Sequence, residues 1–245
     1  MSLPYFAVPS LSDVVAGGSL ELAGSEARHA VVRRIRVGER VVVTDGAGTA
    51  AVCAVASVTK SSVDVRVLEV ASVPGESPRV VVVQAIPKGE RGELAVEMLT
   101  EVGADVVVPW AAARSVAVWR GERATKSLAR WRSVAREAAK QSRRSWFPVV
   151  AEPASTSDVV GLVRDAGLAV VLHEGAPFRI ASLEVPAVGD VVVVVGPEGG
   201  INDEELAAFA AAGAEPVRLG SSVLRTSTAG VAATAVLLSH TPRWQ

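Results

Sequence analysis

Two short stretches combine glycines, hydroxyls and free backbone amides in a way that could hold a ligand: Gly196-Pro197-Glu198-Gly199-Gly200 and Gly220-Ser221-Ser222. The first has glycine at three of its five positions, so a ligand could approach its backbone closely. A phosphate-cradling loop would end in Gly-Lys-Ser/Thr, whereas Gly200 is followed by Ile201-Asn202-Asp203. A dinucleotide fold would need a three-glycine fingerprint that this loop does not match. Asp203, Glu204 and Glu205 then place three acids at the start of the next helix, where they would repel a pyrophosphate. The chemistry that suits such a loop is recognition of a neutral or cationic ligand. A tight turn without a ligand is the alternative.

These loops need strands and helices to aim them. Val191 to Val195 is a run of five valines, the pattern of a strand buried on both faces. Asn202 is placed to cap a helix, with Glu205 three residues on in the capping-box position, and Gly213 marks its end. A short strand over Pro216 to Leu219 leads into the second loop, and a small, apolar helix runs from Thr226 or Ser227 to Leu238.

Earlier in the chain, Arg40 to Asp45, Ala50 to Val58 and Val63 to Val70 read as short β-branched strands, with turns at Asp45-Gly46-Ala47-Gly48 and Lys60-Ser61-Ser62. Ser25 to Ile35 predicts a short helix carrying Arg28, Arg33 and Arg34. Residues 1–72 therefore form a small β-rich domain, and 73–78, with two prolines and a glycine, a linker. From residue 79 the pattern changes. Val80 to Ala85 is a buried strand, Glu90 to Val102 a helix with Leu94, Met98 and Val102 in one apolar row, and Val106 to Pro109 a strand. That succession is a βαβ unit, so 79–245 should be α/β with a parallel sheet. Ser157 to Ala166 is a further helix, and the strand Ala169 to Leu172 ends at His173 and Glu174.

The net charge is only −1, but it is unevenly spread. Between Arg114 and Arg144 there are ten Lys/Arg against Glu122 and Glu137, a local balance of +8 that leaves −9 for the rest. Thr125 to Ser142 is an amphipathic helix with Leu128, Trp131, Ala135 and Ala138 on its apolar face. Arg132, Arg136 and Lys140 recur at i, i+4 and i+8 on another side. Flanked by Arg114, Arg120, Arg123, Arg143 and Arg144, this stripe favours RNA or another polyanion over a merely solvated face. The five arginines between positions 28 and 40 fit either reading. One cysteine excludes an internal disulfide, and histidines at 29, 173 and 240 offer no metal-site spacing. No apolar run approaches membrane length and no signal peptide is evident, so a cytoplasmic, metal-free protein is expected.

The sequence resembles the 16S ribosomal RNA (uracil-N3)-methyltransferases of the SPOUT superfamily along essentially its whole length. The resemblance is carried by Gly196-Pro197-Glu198-Gly199-Gly200, by Leu219-Gly220 with Leu224-Arg225-Thr226 and Thr228-Ala229, and by Lys88-Gly89 with Glu101-Val102-Gly103. Gln141, Arg144, Pro148 and Asp45-Gly46 fit as well. It implies a small N-terminal PUA-like β-barrel for RNA and a C-terminal SPOUT α/β domain tied in a trefoil knot. It also implies S-adenosyl-L-methionine as cofactor, 16S rRNA of the small subunit as substrate, and a homodimer. The cofactor positions carried over are Leu172, His173, Glu174, Gly196, Pro197, Glu198, Gly199, Gly200, Leu219, Gly220, Ser222, Val223, Leu224, Arg225 and Thr228. Arg28, Arg33, Arg34, Arg114, Arg132, Arg136, Lys140, Gln141 and Arg144 are expected on RNA. Ser227 stands where family members usually carry Glu, and Ile201-Asn202 where they often carry Phe-Ser.

Methylation at uracil N3 requires the proton on N3 to leave. Arg225, always charged and rich in donors, is the expected stabiliser of the resulting anion. Ser227, with Thr226 and Thr228, is expected to position the base or relay through water. Other assignments compatible with the residues are a SPOUT enzyme acting on a ribose 2′-OH or on transfer RNA, and a non-catalytic RNA-binding or ribosome-assembly protein. A dinucleotide-dependent oxidoreductase lacks its fingerprint here.

Overall fold

The computed structural model describes residues 3–244. Two compact units emerge, and they are not simply consecutive. The first takes the chain up to Gly75 together with Ala139–Phe147; the second takes Glu76–Ala138 and the chain from Pro148 onward. The stretch expected as a linker is fastened at both ends. The amide of Val73 donates to the carbonyl of Gly48 in the first unit, and the hydroxyl of Ser77 donates to that of Ala187 in the second.

The first unit is a five-stranded mixed sheet built from β1 (Tyr5–Ala7), β2 (Ser19–Ala23), β3 (Arg40–Thr44), β4 (Thr49–Val58) and β5 (Ser62–Ser72), in the order β1-β3-β4-β5-β2. Alternation decides which face is inside. Ala51, Cys53 and Val55 of β4 and Val63, Val65 and Val67 of β5 are buried together with Phe6, Leu11 and Leu22. Two register shifts, between Val52 and Cys53 and between Val55 and Ser57, bend the long β4–β5 pair. Helix α1 (Gly24–Val32) buries Ala27 and Ala30. Burial pushes the Cys53 thiol up to about 11, so it stays protonated and unreactive. The segment Ser145–Phe147 docks on the Asp45–Gly48 turn. Phe147 N–H donates to Gly46, Gly48 N–H to Ser145, and a side chain at Gly46 would run into the Phe147 ring at 2.6 Å.

The second unit is a parallel sheet of seven strands: β6 (Arg79–Ala85), β7 (Val106–Trp110), β8 (Val149–Val150), β9 (Leu168–Leu172), β10 (Phe178–Arg179), β11 (Asp190–Val195) and β12 (Glu215–Arg218), in the order β10-β12-β9-β11-β6-β7-β8. The valine runs are continuous because both faces are covered. Val80, Val82, Val191, Val193 and Val195 pack with Leu99, Trp131, Ala233 and Leu237. The intervening Val81, Val83, Val192 and Val194 pack with Trp110, Val159 and Phe209. Apart from Trp110, at the end of β7, these packing partners come from α2 (Arg91–Val102), α3 (Gly121–Gln141), α4 (Thr156–Asp165), α5 (Asp203–Ala211) and α6 (Thr226–Leu238). Arg243, 4% exposed at its side chain, pairs with Asp105 at 2.7 Å and with Glu76, and donates to the carbonyls of Pro78 and Gly103.

Two expectations need correction. The row Leu94, Met98 and Val102 does not face the sheet: α2 buries Gly92, Ala95, Val96, Leu99 and Thr100 instead, and Leu94 is 46% exposed. The buried side packs against α6, and the row of Leu94, Met98 and Val102 falls on the outer side. The predicted strand over 216–219 is Glu215–Arg218, which leaves Leu219 free to begin a loop.

Candidate cofactor site

The carboxyl ends of β9, β11 and β12, neighbours in the sheet, open into one cavity of about 650 Å³. Ligands of open α/β sheets bind at such ends. The cavity is walled by the loop after β11, the loop after β12, and Leu172 to Glu174 after β9.

Each loop is held in shape by specific bonds. Gly200 N–H donates to Pro197 at 2.9 Å, and Gly200 has φ +73°, a conformation glycine adopts without steric cost. Asn202 caps α5 in a full capping box with Glu205, which satisfies two orphan donors. Glu205 is 5% exposed because its carboxylate also accepts from Ala113 N–H at 2.9 Å and the Thr156 hydroxyl at 3.1 Å. Of the three acids at the start of α5, therefore, only Asp203 reaches the cavity. Glu198 accepts from Lys88 N–H and from Arg91 Nη1, both at 3.3 Å. A Cβ on Gly199 would lie 3.2 Å from Arg114, whose Nη1 reaches the Gly199 carbonyl at 3.4 Å.

Thr226 ties the two loops together. Its hydroxyl donates to the Gly196 carbonyl at 2.8 Å and accepts from Gln84 Nε2 at 3.0 Å, with Thr226 6% exposed and Gln84 fully buried. The first turn of α6, the start of the glycine loop and the end of β6 thus share one buried network.

All of the expected cofactor residues line this cavity except Thr228. Thr228 lies half-buried on α6, its hydroxyl donating to the Arg225 carbonyl at 3.2 Å. Arg225 occupies the N-cap position of α6 and lines the cavity. Ser227 does not; it is 4% exposed inside the same turn. Asp203 and Ser221, from the acidic helix start and the second loop, also line the wall, as do Arg91 and Arg218, for which the sequence raised no expectation. Arg91 follows Lys88-Gly89 closely enough that this motif was the available signal. Four arginines face Glu174, Glu198 and Asp203, so the site has both signs of charge.

The residues expected on RNA separate. Arg28, Arg33 and Arg34 are exposed on and just after α1, and Arg33 donates to Gln141 at 3.0 Å. Arg114 belongs to the cavity wall. Arg132 is engaged by the Val150 carbonyl and Glu152, and Arg136 and Arg144 are half-buried. Lys140 is not available to a phosphate at all: it is 5% exposed and paired with buried Glu26 at 2.9 Å. Helical spacing put it on the stripe, but the last turn of α3 is packed inside the first unit.

A family model described as an RNA methyltransferase domain matches residues 75–238, and one described as an RNA methyltransferase PUA domain matches 22–68. The chain belongs to the RNA methyltransferase family. The cavity lies wholly within the matched methyltransferase segment, and the mixed sheet is the PUA-like unit. The chain is 49% identical over 244 residues to the ribosomal RNA small subunit methyltransferase E of Mycobacterium bovis, covering 98% of this chain and 92% of that one. The Bacillus subtilis protein of the same name is 30% identical, covering 92% and 91%. Among solved structures, the Neisseria gonorrhoeae methyltransferase E bound to S-adenosyl methionine superposes with a TM-score of 0.87 at 27% identity, covering 97% and 98%. A Legionella pneumophila methyltransferase with the same cofactor bound gives 0.87 at 29%, covering 98% and 99%. The expected α/β fold with a PUA-like first unit therefore holds.

Proposed function

We propose that the chain methylates N3 of a uracil in 16S rRNA of the small ribosomal subunit, with S-adenosyl-L-methionine as donor. The cavity at the ends of β9, β11 and β12 carries this reading. Its volume of about 650 Å³ lies within the roughly 300–1,000 Å³ of sites that take whole cofactors. Its glycine backbone offers amides and carbonyls to an adenine, and Glu174, Glu198 and Asp203 suit a ligand with positive charge. When bound, the cofactor supplies a methyl group on a sulfonium cation. The protein's part is to hold the uracil and the charge it gains. Arg225, on the cavity wall at the start of α6, holds the negative charge left on the base as the N3 proton passes to solvent water, and the anion then takes the methyl group. Ser227, buried one residue beyond Thr226, acts on the position of that turn rather than on the base. The exposed Arg28, Arg33 and Arg34 hold RNA phosphates.

Incubating unmethylated small subunits with labelled cofactor and mapping the product tests the assignment. A methyl on a ribose 2′-OH or on transfer RNA would refute it. Arg225→Ala is expected to lower the methylation rate by about 10²–10³-fold, as loss of one preorganised donor does, while calorimetry still detects cofactor. Unchanged methylation would remove Arg225 from the chemistry.

The return of α6 from the loop after β12 to pack on α2, β6 and β11 supports the trefoil knot. A homodimer is supported by apolar surface on two helices of the second unit. Leu94 is exposed and Met98 and Val102 half-buried on α2, while Val231, Ala232, Ala235 and Val236 are half-buried on α6, a helix with almost no polar face. Sedimentation should give about twice the 25.3 kDa of one chain, and Leu94→Arg should halve it. A wild-type monomer would end this part of the reading. A substrate in the small ribosomal subunit supports a cytoplasmic location, and no helix of the described residues is long and apolar enough to cross a membrane.

A further inference from the structure

A second cavity, of about 230 Å³, lies between the turn from Pro87 to Glu93 and the start of α3. The two cavities share that turn: Arg91 lines the first, while Gly89, Glu90 and Gly92 line the second. We propose that the second cavity takes one nucleobase of single-stranded RNA, adjacent to the nucleotide being methylated. The inference rests on RNA being the substrate, but not on which atom is methylated.

Aromatic surface is the first observation. Trp119 and Trp131 both line the cavity and meet edge to face, with ring centroids 4.9 Å apart and an interplanar angle of 78°. Trp119 is only partly buried, so it can offer ring surface to a base.

An open donor is the second. Trp131 is 2% exposed. Trp110 and Trp146 donate their indole N–H groups to Thr156 and the Val73 carbonyl, but that of Trp131 has no partner among the described residues. Its Nε1 edge lies against Gly92 on the cavity wall, where an added Cβ would sit 2.9 Å from that nitrogen. That N–H is not sealed from solvent, so it can donate into the cavity, and a base edge carries several acceptors.

Charge decides between a base and a phosphate. Arg130 is already paired with Glu93 at 3.0 Å and lies 3.9 Å from Glu90. Glu90 is 89% exposed at its side chain, and an acid at the mouth repels a phosphate. Arg123 on the rim remains to meet the backbone of a nucleotide whose base is inside. The volume falls below the roughly 300 Å³ at which whole-cofactor sites begin and suits one flat ring. Because the two cavities meet at a single turn, a strand with its target base in the first can place a neighbouring base in the second.

Five indole signals in a ¹⁵N–¹H spectrum report on the five tryptophans, with Trp119→Phe and Trp131→Phe assigning the two that matter. Adding hexauridylate or hexaadenylate should shift the Trp119 and Trp131 signals, whereas an abasic ribose-phosphate hexamer should not. Trp119→Ala should weaken hexamer binding about tenfold, as loss of one stacking platform does, and Trp119→Phe should preserve it. The inference fails if both signals stay still while hexamer is added to millimolar concentration, or if the abasic hexamer moves them equally, which would mark a phosphate site. No methyl transfer enters this readout. Methylation at a position other than uracil N3 would therefore overturn the proposed function without moving these signals.

Discussion

Lys140→Ala is expected to destabilise the first unit by about 3–5 kcal/mol, the cost of leaving one member of a buried ion pair without its partner. The side chains of Lys140 and Glu26 are 3% and 8% exposed and lie 2.9 Å apart. Glu26 also accepts from Ala7 N–H at 3.3 Å, so the carboxylate joins β1, α1 and the last turn of α3. Removing the ammonium takes a charged partner from a carboxylate that is itself buried. The double variant Glu26→Gln/Lys140→Met should regain most of the loss, because Gln still accepts from Ala7 and Met fills the channel of the lysine stem. Urea unfolding followed by circular dichroism measures both. A Lys140→Ala protein within about 1 kcal/mol of wild type would mean the pair is not what holds residues 139–147 to the sheet.

The same residue shows what a sequence discloses and what it withholds. Helical period alone placed Lys140 in line with Arg132 and Arg136, and that much is true of α3. Period says which residues share a side, not what lies opposite, and here the opposite element is α1, whose Glu26 is more than a hundred positions away. The row Leu94, Met98 and Val102 misleads for the same reason, since what α2 buries is decided by its packing on α6 and by the approach of Gly92 to Trp131. Local features were plain by contrast. The valine run of β11, the capping box of Asn202 and Glu205, and the glycines after β11 each depend on a few adjacent residues. The bond from Gln84 to Thr226, across 142 positions, leaves no local signature, nor does the grouping of residues 139–147 with the first unit. The cavity was therefore legible as two loops, while the tie that makes them one site was not.

Gly196→Val should cost the cofactor site about 10- to 100-fold in affinity for S-adenosyl-L-methionine, from the roughly 1–3 kcal/mol of strain that overpacking brings. An added Cβ would sit 2.8 Å from Ile201 Cγ1 and 3.4 Å from its Cδ1. Ile201 is 6% exposed within the core face that holds Phe209 and Val194, so it cannot step aside. The loop must move instead, and it takes with it the carbonyl that receives the Thr226 hydroxyl. Thr226→Val attacks the same tie from the other end without adding bulk. It deprives that carbonyl and Gln84 Nε2 of a partner, in a place where Gln84 Oε1 already has none. A loss of about 1–3 kcal/mol in stability should follow, since a buried polar group is left unpaired. Calorimetry for cofactor affinity and thermal unfolding for stability separate the two effects. Because both changes break one network, the double variant should lose less affinity than the two single losses combined. Wild-type affinity in folded Gly196→Val protein, or strict additivity, would mean that the two loops bind independently and that the hydroxyl of Thr226 is only a local helix contact.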